Sequence, residues 1–96
     1  IDGDGMSRFI ADVASVLEAL PIDDRLLVWA RVPAAHAPHV FVEVSDAVRV
    51  SLAERTPSDT LAALLGALDA EDLAYVSRAI PDEVLAQVAA TLAVAE

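Results

Sequence analysis

The stretch 69-DAEDLAYVSRAI-80, followed directly by 81-PDEVLAQVAATL-92, decides the fold because it is one twelve-residue unit written twice. Each copy begins with Asp or Pro, continues with acidic residues and ends with an aliphatic residue. Counting back from Pro81 in steps of twelve finds further unit starts at Asp69, Pro57, Ser45, Pro33 and Pro21, with a degraded copy from Phe9. A tandem array of this kind is typical of a repeat protein.

Apolar residues recur at positions five, eight, nine and twelve of the unit. This i, i+3, i+4, i+7 spacing is one face of an α-helix, and the alternation expected of strands is absent. The sequence therefore predicts an all-α fold of about six to eight short helices without a sheet. Position eight is aliphatic in every unit, and from the second unit onward we expect it to form a buried spine: Val28, Val40, Leu52, Leu64, Val76 and Val88.

The first position of the unit explains why each helix stops. Proline lacks an N–H, clashes with a preceding helical turn and suits a helix start, and Ser45 and Asp69 are residues that cap one. Acidic residues follow at once, where they oppose the positive end of the helix dipole. Helices of roughly ten residues are marginal alone, so stacking in an α-solenoid must stabilise them.

Composition excludes several classes of protein. Sixteen acidic against six basic residues leave a net charge of −10, which repels nucleic acid and anionic membranes. Divalent cations and basic protein surfaces are the natural counterparts. There is no cysteine, so disulfides and thiolate metal sites are excluded. No apolar run reaches the roughly 20 residues of a membrane span, so direct membrane insertion is not expected.

Several single residues lead to local predictions. Pro38 should end or displace a helix, giving a turn near residues 35–37 and a short helix after it. His36 and His39 flank that proline without a third zinc ligand, and are interpreted as polar residues at a helix start. Trp29 is interpreted as a packing residue. Arg49 is expected to form a surface ion pair with Asp46, worth little to stability.

The N-terminus predicts a boundary. Residues 1–6 are interpreted as a tag or linker remnant and residues 7–96 as the folded domain, with Ser7 capping a first helix from about Arg8 to Ala19. The first five residues, IDGDG, resemble part of a calcium loop, but the later ligands and the closing Glu are missing.

Three stretches carry a family resemblance: 20-LPIDDRLLVWARV-32, 44-VSDAVRVSL-52 and 68-LDAEDLAYVSRAIPDEVLAQV-88. They resemble the cytosolic N-terminal domain of MgtE-type magnesium channels, whose short helices follow L-P-x-[DE]-x-x-x-x-L-x-x-L, with VSDAVR and LDxDDLAxLxxxLPxxV as better signatures. The resemblance covers residues 16–92 and implies a right-handed α-superhelix ahead of paired CBS domains and a transmembrane pore. The chain is then expected to be an excised domain or a natural fragment.

The resemblance also implies a regulatory function. In the family, this domain docks on the CBS domains of the same protein when cytosolic magnesium is high, and the pore closes. The full-length protein is expected to be a homodimer of the bacterial inner membrane, with this domain in the cytoplasm. One acid of the family's ion-linked set corresponds to Glu71, flanked by Asp69 and Asp72, and these three are the predicted magnesium-binding residues. A second family acid is replaced by His39, which weakens that site or removes it.

The sequence is also compatible with two other function classes. The first is a protein-interaction solenoid without ion sensing, since armadillo-like units of flagellar motor-switch proteins use similar short helices. The second is an enzyme, which is disfavoured because no base, nucleophile and oxyanion donors can be assembled and no serine lies in a G-x-S-x-G context. The sequence following this domain in its gene separates channel from scaffold, since CBS domains and apolar spans support the channel.

Overall fold

Seven α-helices form the fold in a computed structural model that describes the backbone of residues 2–95 and the side chains of residues 5–94. Within those residues there is no strand, which confirms the all-α prediction. None of the helices within residues 2–95 combines the length and apolarity required to cross a bilayer. In chain order the helices are α1 Asp2–Ala19, α2 Ile22–Trp29, α3 Ala37–Glu43, α4 Asp46–Arg55, α5 Ser58–Gly66, α6 Ala70–Ser77 and α7 Asp82–Ala95.

The unit starts of α2, α4, α5, α6 and α7 coincide with helix starts, as predicted, whereas the unit that starts at Pro33 begins its helix only at Ala37. Pro21 and Pro57 are the N-cap residues of α2 and α5, one residue ahead of the first helical position. Ser45 caps α4 by accepting a hydrogen bond from the Val48 N–H at 3.4 Å. Pro38 lies in the first turn of α3, after a turn over residues 34–36. Its missing N–H is harmless there, because the first helical N–H groups have no intrahelical partner.

The first helix begins earlier than the sequence predicted, at Asp2 and not near Arg8. No proline interrupts residues 2–8, and a glycine such as Gly5 weakens a helix by only about 1 kcal/mol. The calcium-loop hypothesis for residues 1–5 depends on side chains that lie outside the described residues, apart from Gly5, which has none.

The helices pack mainly on their next-but-one neighbours. Helix α1 contacts α2 and α3, α2 contacts α4, α3 contacts α5 and α6, and α5 contacts α7. This arrangement is compatible with the superhelix that the resemblance implies. Helix α3 is central, since it contacts three other helices and carries Val40 and Phe41, both fully buried.

The predicted spine is largely confirmed. Its members from the third unit onward are buried: Val40, Leu52, Leu64, Val76 and Val88. Val28 is only half-buried and packs against the edge of the core. Position five does not behave uniformly, because Leu61 is fully buried whereas Leu73 is exposed. The repeat therefore marks equivalent positions without giving them equal burial.

Two arginines at position five cap preceding helices, which corrects the expectation for Arg49. Arg49 is fully buried. It keeps the expected ion pair with exposed Asp46, but it also donates to the carbonyl oxygens of Phe41 and Val42, each at 2.9 Å, and to that of Val44. The end of a helix leaves carbonyl oxygens without intrahelical partners. A guanidinium with several donors satisfies them inside the protein, so Arg49 is buried and not a surface residue.

Arg25, two units earlier, makes an equivalent set of contacts at the end of α1. It donates to the carbonyl oxygens of Leu17 at 2.8 Å and Leu20 at 3.1 Å, and to the Ser51 hydroxyl at 3.0 Å. The two arginines thus repeat one arrangement, in which a side chain of one helix binds the carbonyl oxygens at the end of the helix before it.

Trp29 is a packing residue, as interpreted from the sequence, and it has a polar partner. Its indole N–H donates to the Thr56 hydroxyl at 3.0 Å, and that hydroxyl donates to the Leu52 carbonyl oxygen at 2.6 Å. Its ring centroid lies 6.1 Å from that of Phe41. Thr56 is the polar exception at position twelve of the unit, and its contact with Trp29 accounts for the exception.

Candidate functional site

The acidic start of α6 has the cap that the sequence predicted. Asp69 is the N-cap residue, and its carboxylate accepts a hydrogen bond from the Asp72 N–H at 2.8 Å. Asp69 and Glu71 are exposed, whereas Asp72 is half-buried. One oxygen of Asp69 therefore stabilises the helix start, and the carboxylate of Glu71 is open to solvent.

Asp72 lies in a cleft where α1, α3 and α6 meet. The cleft has a volume of about 390 Å³ and is lined by Met6, Ser7, Ile10, His39, Val42, Glu43 and Asp72. The structure thus brings Asp72 to the same cleft as His39, which the family resemblance assigns to the position of a second acid. Glu71 and Asp69 do not line this cleft.

Glu43 is a member of the cleft that sequence reasoning missed. It follows His39 by four residues on α3, and residues at this spacing are neighbours on a helix surface. That spacing was the available signal, but the sequence does not tell which other helix the surface faces. In the fold it faces the side of α6 that carries Asp72.

The cleft offers oxygen and nitrogen donors to a cation without enclosing one. Magnesium takes oxygen ligands in octahedral geometry, keeps several waters and is usually bound by one or two carboxylates. Among residues 5–94 no three histidine, aspartate or glutamate side chains come together as a metal-binding group. An ion held here would therefore complete its coordination with water or with groups from another surface.

His36 and His39 are separated by their surroundings. His36 is the N-cap residue of α3, half-buried, with its ring edge-on to Phe9 at a centroid distance of 5.3 Å. His39 is exposed and faces the cleft. The two imidazoles therefore have different environments, in agreement with their interpretation as polar residues near a helix start.

The hydroxyls of four serines donate structural hydrogen bonds to groups other than histidine: Ser45, Ser51, Ser58 and Ser77. Those of Ser51 and Ser77 donate to carbonyl oxygens one helical turn earlier, each at 2.6 Å. That of Ser45 donates to Glu18 at 2.9 Å, and Glu18 also accepts the Ser45 backbone N–H. A nucleophilic hydroxyl needs an adjacent base, so these serines give no support to the enzyme hypothesis.

The protein-family comparison matches most of the chain. A family model described as the MgtE intracellular N domain matches residues 9–96. Among curated protein sequences, none matches this chain.

Proposed function

This chain belongs to the family of MgtE intracellular N domains, the cytosolic regulatory domain of a magnesium-transporter family, and we propose that it senses cytosolic magnesium by ion-dependent docking. In this proposal the partner is the CBS domain pair of the same full-length protein, a homodimer of the bacterial inner membrane. The bound ion is magnesium, held weakly between two acidic surfaces. The family is a transporter family and not a known enzyme family.

One observation carries the proposal, namely the placement of acids around the start of α6. Glu71 is exposed at the helix start, and Asp72 continues into the cleft that Glu43 and His39 also line. These acids belong to a chain with a net charge of −10. A second acidic surface approaching this region would be repelled unless cations lay between the two.

Ion binding and docking then become one linked equilibrium. Each process must strengthen the other by the same factor, because linkage between binding free energies is reciprocal. The partial ligand set of the cleft supports this reading, since an ion bridging two surfaces needs only some of its ligands from each. His39 supplies a nitrogen donor where magnesium prefers oxygen, so on the α3 side of the cleft we expect Glu43, and not His39, to contribute.

The test is a magnesium titration of protease cleavage at the linker between this domain and the CBS domains of the full-length protein. Glu71→Lys should allow docking at low magnesium through direct charge pairing, so protection should begin at lower magnesium than in the wild type. Glu71→Gln removes one negative charge and so reduces the repulsion between the two surfaces, which lowers the magnesium needed for protection. If Glu71 is also a magnesium ligand, its loss weakens the ion-bound state and opposes this shift.

Glu83 provides a matched control. It occupies the same position of the next unit, lies in the first turn of α7 and is exposed like Glu71. Glu83→Lys changes the net charge equally, so its titration should follow the wild type. Superimposable curves for wild type and Glu71→Lys would remove Glu71 from sensing, and protection independent of magnesium in every variant would favour the interaction solenoid without ion sensing.

A further inference from the structure

A second concavity lies away from the acidic cleft, between the α2–α3 connection and the α4–α5 connection. It is a groove of about 560 Å³ whose lining includes five alanines together with Leu26, Trp29 and Leu64. Small-molecule sites in proteins are concave, mostly apolar and of this size, with a few polar groups that orient the ligand. The alanines leave the space open, because their side chains end at Cβ.

The groove has few polar groups, and its one charge is positive. Among residues 5–94, Arg55 is its single charged lining residue, and no acidic residue of that range lines it. Arg55 is exposed and forms no ion pair with any residue whose side chain the structure describes. The groove therefore carries a positive charge, whereas the chain as a whole has a net charge of −10.

The hydroxyls of the lining add a donor. The Thr56 hydroxyl is already occupied, since it accepts from Trp29 and donates to Leu52. Thr60 lies in the same lining and carries a second hydroxyl. The Thr60 hydroxyl and the Arg55 guanidinium can each donate a hydrogen bond to a ligand, while the rest of the lining is largely apolar.

We propose that this groove binds a small apolar monocarboxylate of the kind represented by a medium-chain fatty acid. Its carboxylate pairs with Arg55, whose planar guanidinium matches carboxylate geometry, and its hydrocarbon portion lies along Trp29, Leu26 and Leu64. A monoanion is favoured over a more highly charged ligand because the protein as a whole is acidic. The site is separate from the acidic cleft and does not depend on magnesium sensing.

Trp29 is the only tryptophan of the chain and lines the groove, so its fluorescence reports occupancy directly. Decanoate, added below its micelle concentration in magnesium-free buffer, should shift or quench the Trp29 emission in a saturable way. Decyltrimethylammonium has the same chain length and the opposite charge, and it should bind at least about tenfold more weakly if Arg55 selects the head group. Equal binding of the two amphiphiles, or no saturable change with decanoate, would overturn the proposal.

Two substitutions separate the charge from the shape of the site. Arg55→Gln should weaken decanoate binding by about tenfold, as expected when a charge-assisted contact is lost. Arg31→Gln is the matched control, because Arg31 is exposed and adjoins two groove residues without lining the groove itself. Ala63→Leu should fill the groove and abolish binding while the helical circular dichroism spectrum is retained.

Each variant has an outcome that counts against the site. An unchanged decanoate affinity in Arg55→Gln would overturn the proposal even if Ala63→Leu failed to fold. An acidic amphipathic peptide that shifts Trp29 emission where decanoate does not would assign the groove to a helical partner instead.

Discussion

The guanidinium of Arg49 lies over the ring of Tyr75, with its carbon 5.0 Å from the ring centroid. Arg78 approaches the same ring at 5.6 Å. Because Arg49 also holds the carbonyl oxygens at the end of α3, it connects α3, α4 and α6 through one side chain. Glu43 and His39 lie on α3, and Asp72 lies on α6. Arg49 therefore stabilises the packing of the two helices that carry the ionisable residues of the acidic cleft.

Replacement of Arg49 by Ala should destabilise the domain by on the order of 3 kcal/mol. Three buried or half-buried carbonyl oxygens lose a charged donor, and each unsatisfied group carries a desolvation cost. The free energy of unfolding of Arg49→Lys should lie between those of the wild type and Arg49→Ala, since one ammonium group cannot reproduce the several donors of the guanidinium. Urea unfolding monitored by circular dichroism gives the free energies. Arg78→Ala is the control: Arg78 is exposed and lies over the same Tyr75 ring, but its side chain donates no hydrogen bond within residues 5–94, so its loss should cost below about 1 kcal/mol. Similar losses for Arg49→Ala and Arg78→Ala would contradict the capping role.

Leu61 and Leu73 occupy the same position of their units and should respond differently to truncation. Leu61 is fully buried, so Leu61→Ala should cost about 2–5 kcal/mol through lost burial and the cavity left behind. Leu73 is 37% exposed, and Leu73→Ala should cost clearly less. Thermal and urea denaturation of the two variants measure the difference. Equal destabilisation would mean that the repeat position, and not the tertiary packing, decides burial.

Thr56→Val should leave the Trp29 indole N–H without its acceptor. The two side chains have similar shapes, so the change removes the hydroxyl with little alteration of packing, and the expected cost is about 1–3 kcal/mol for an unsatisfied, half-buried donor. Thr56→Ser retains the hydroxyl and serves as the control for the lost methyl group. Thermal midpoints and Trp29 emission spectra check the prediction. A midpoint for Thr56→Val at or above that of the wild type would contradict the predicted cost of losing the threonine oxygen.

Magnesium should act weakly on the isolated chain. The ligand set within the domain is partial, so ion binding without a partner surface should raise the free energy of unfolding at millimolar magnesium by less than about 1 kcal/mol. Differential scanning calorimetry with and without magnesium, at matched ionic strength set with sodium chloride, isolates the specific effect. A larger stabilisation that disappears in Glu71→Gln would mean that the domain contains a complete magnesium site of its own.

The cluster of acidic residues at the start of α6 could be predicted from the sequence because a capping pattern involves only neighbouring residues. Asp69, Glu71 and Asp72 lie within one helical turn, and the unit start predicts the cap that Asp69 provides. The place of Glu43 in the cleft could not be predicted from the sequence, since its position relative to Asp72 depends on the packing of α3 against α6. The assignment of magnesium to Glu71 came from the family resemblance and stays a prediction.

The sequence by itself determined where α2 and α4 to α7 begin and which positions are apolar. Proline and capping residues act on the adjacent backbone, and helical periodicity is a property of one segment, so both are encoded locally. Only the tertiary structure decided that Arg49 is buried while Leu73 is exposed, although both occupy position five. Equivalent positions of a repeat face different neighbours, and burial depends on which helices stack against them. The Arg49 guanidinium is buried although a charged side chain prefers water. Its hydrogen bonds to the carbonyl oxygens at the end of α3 compensate for the lost solvation.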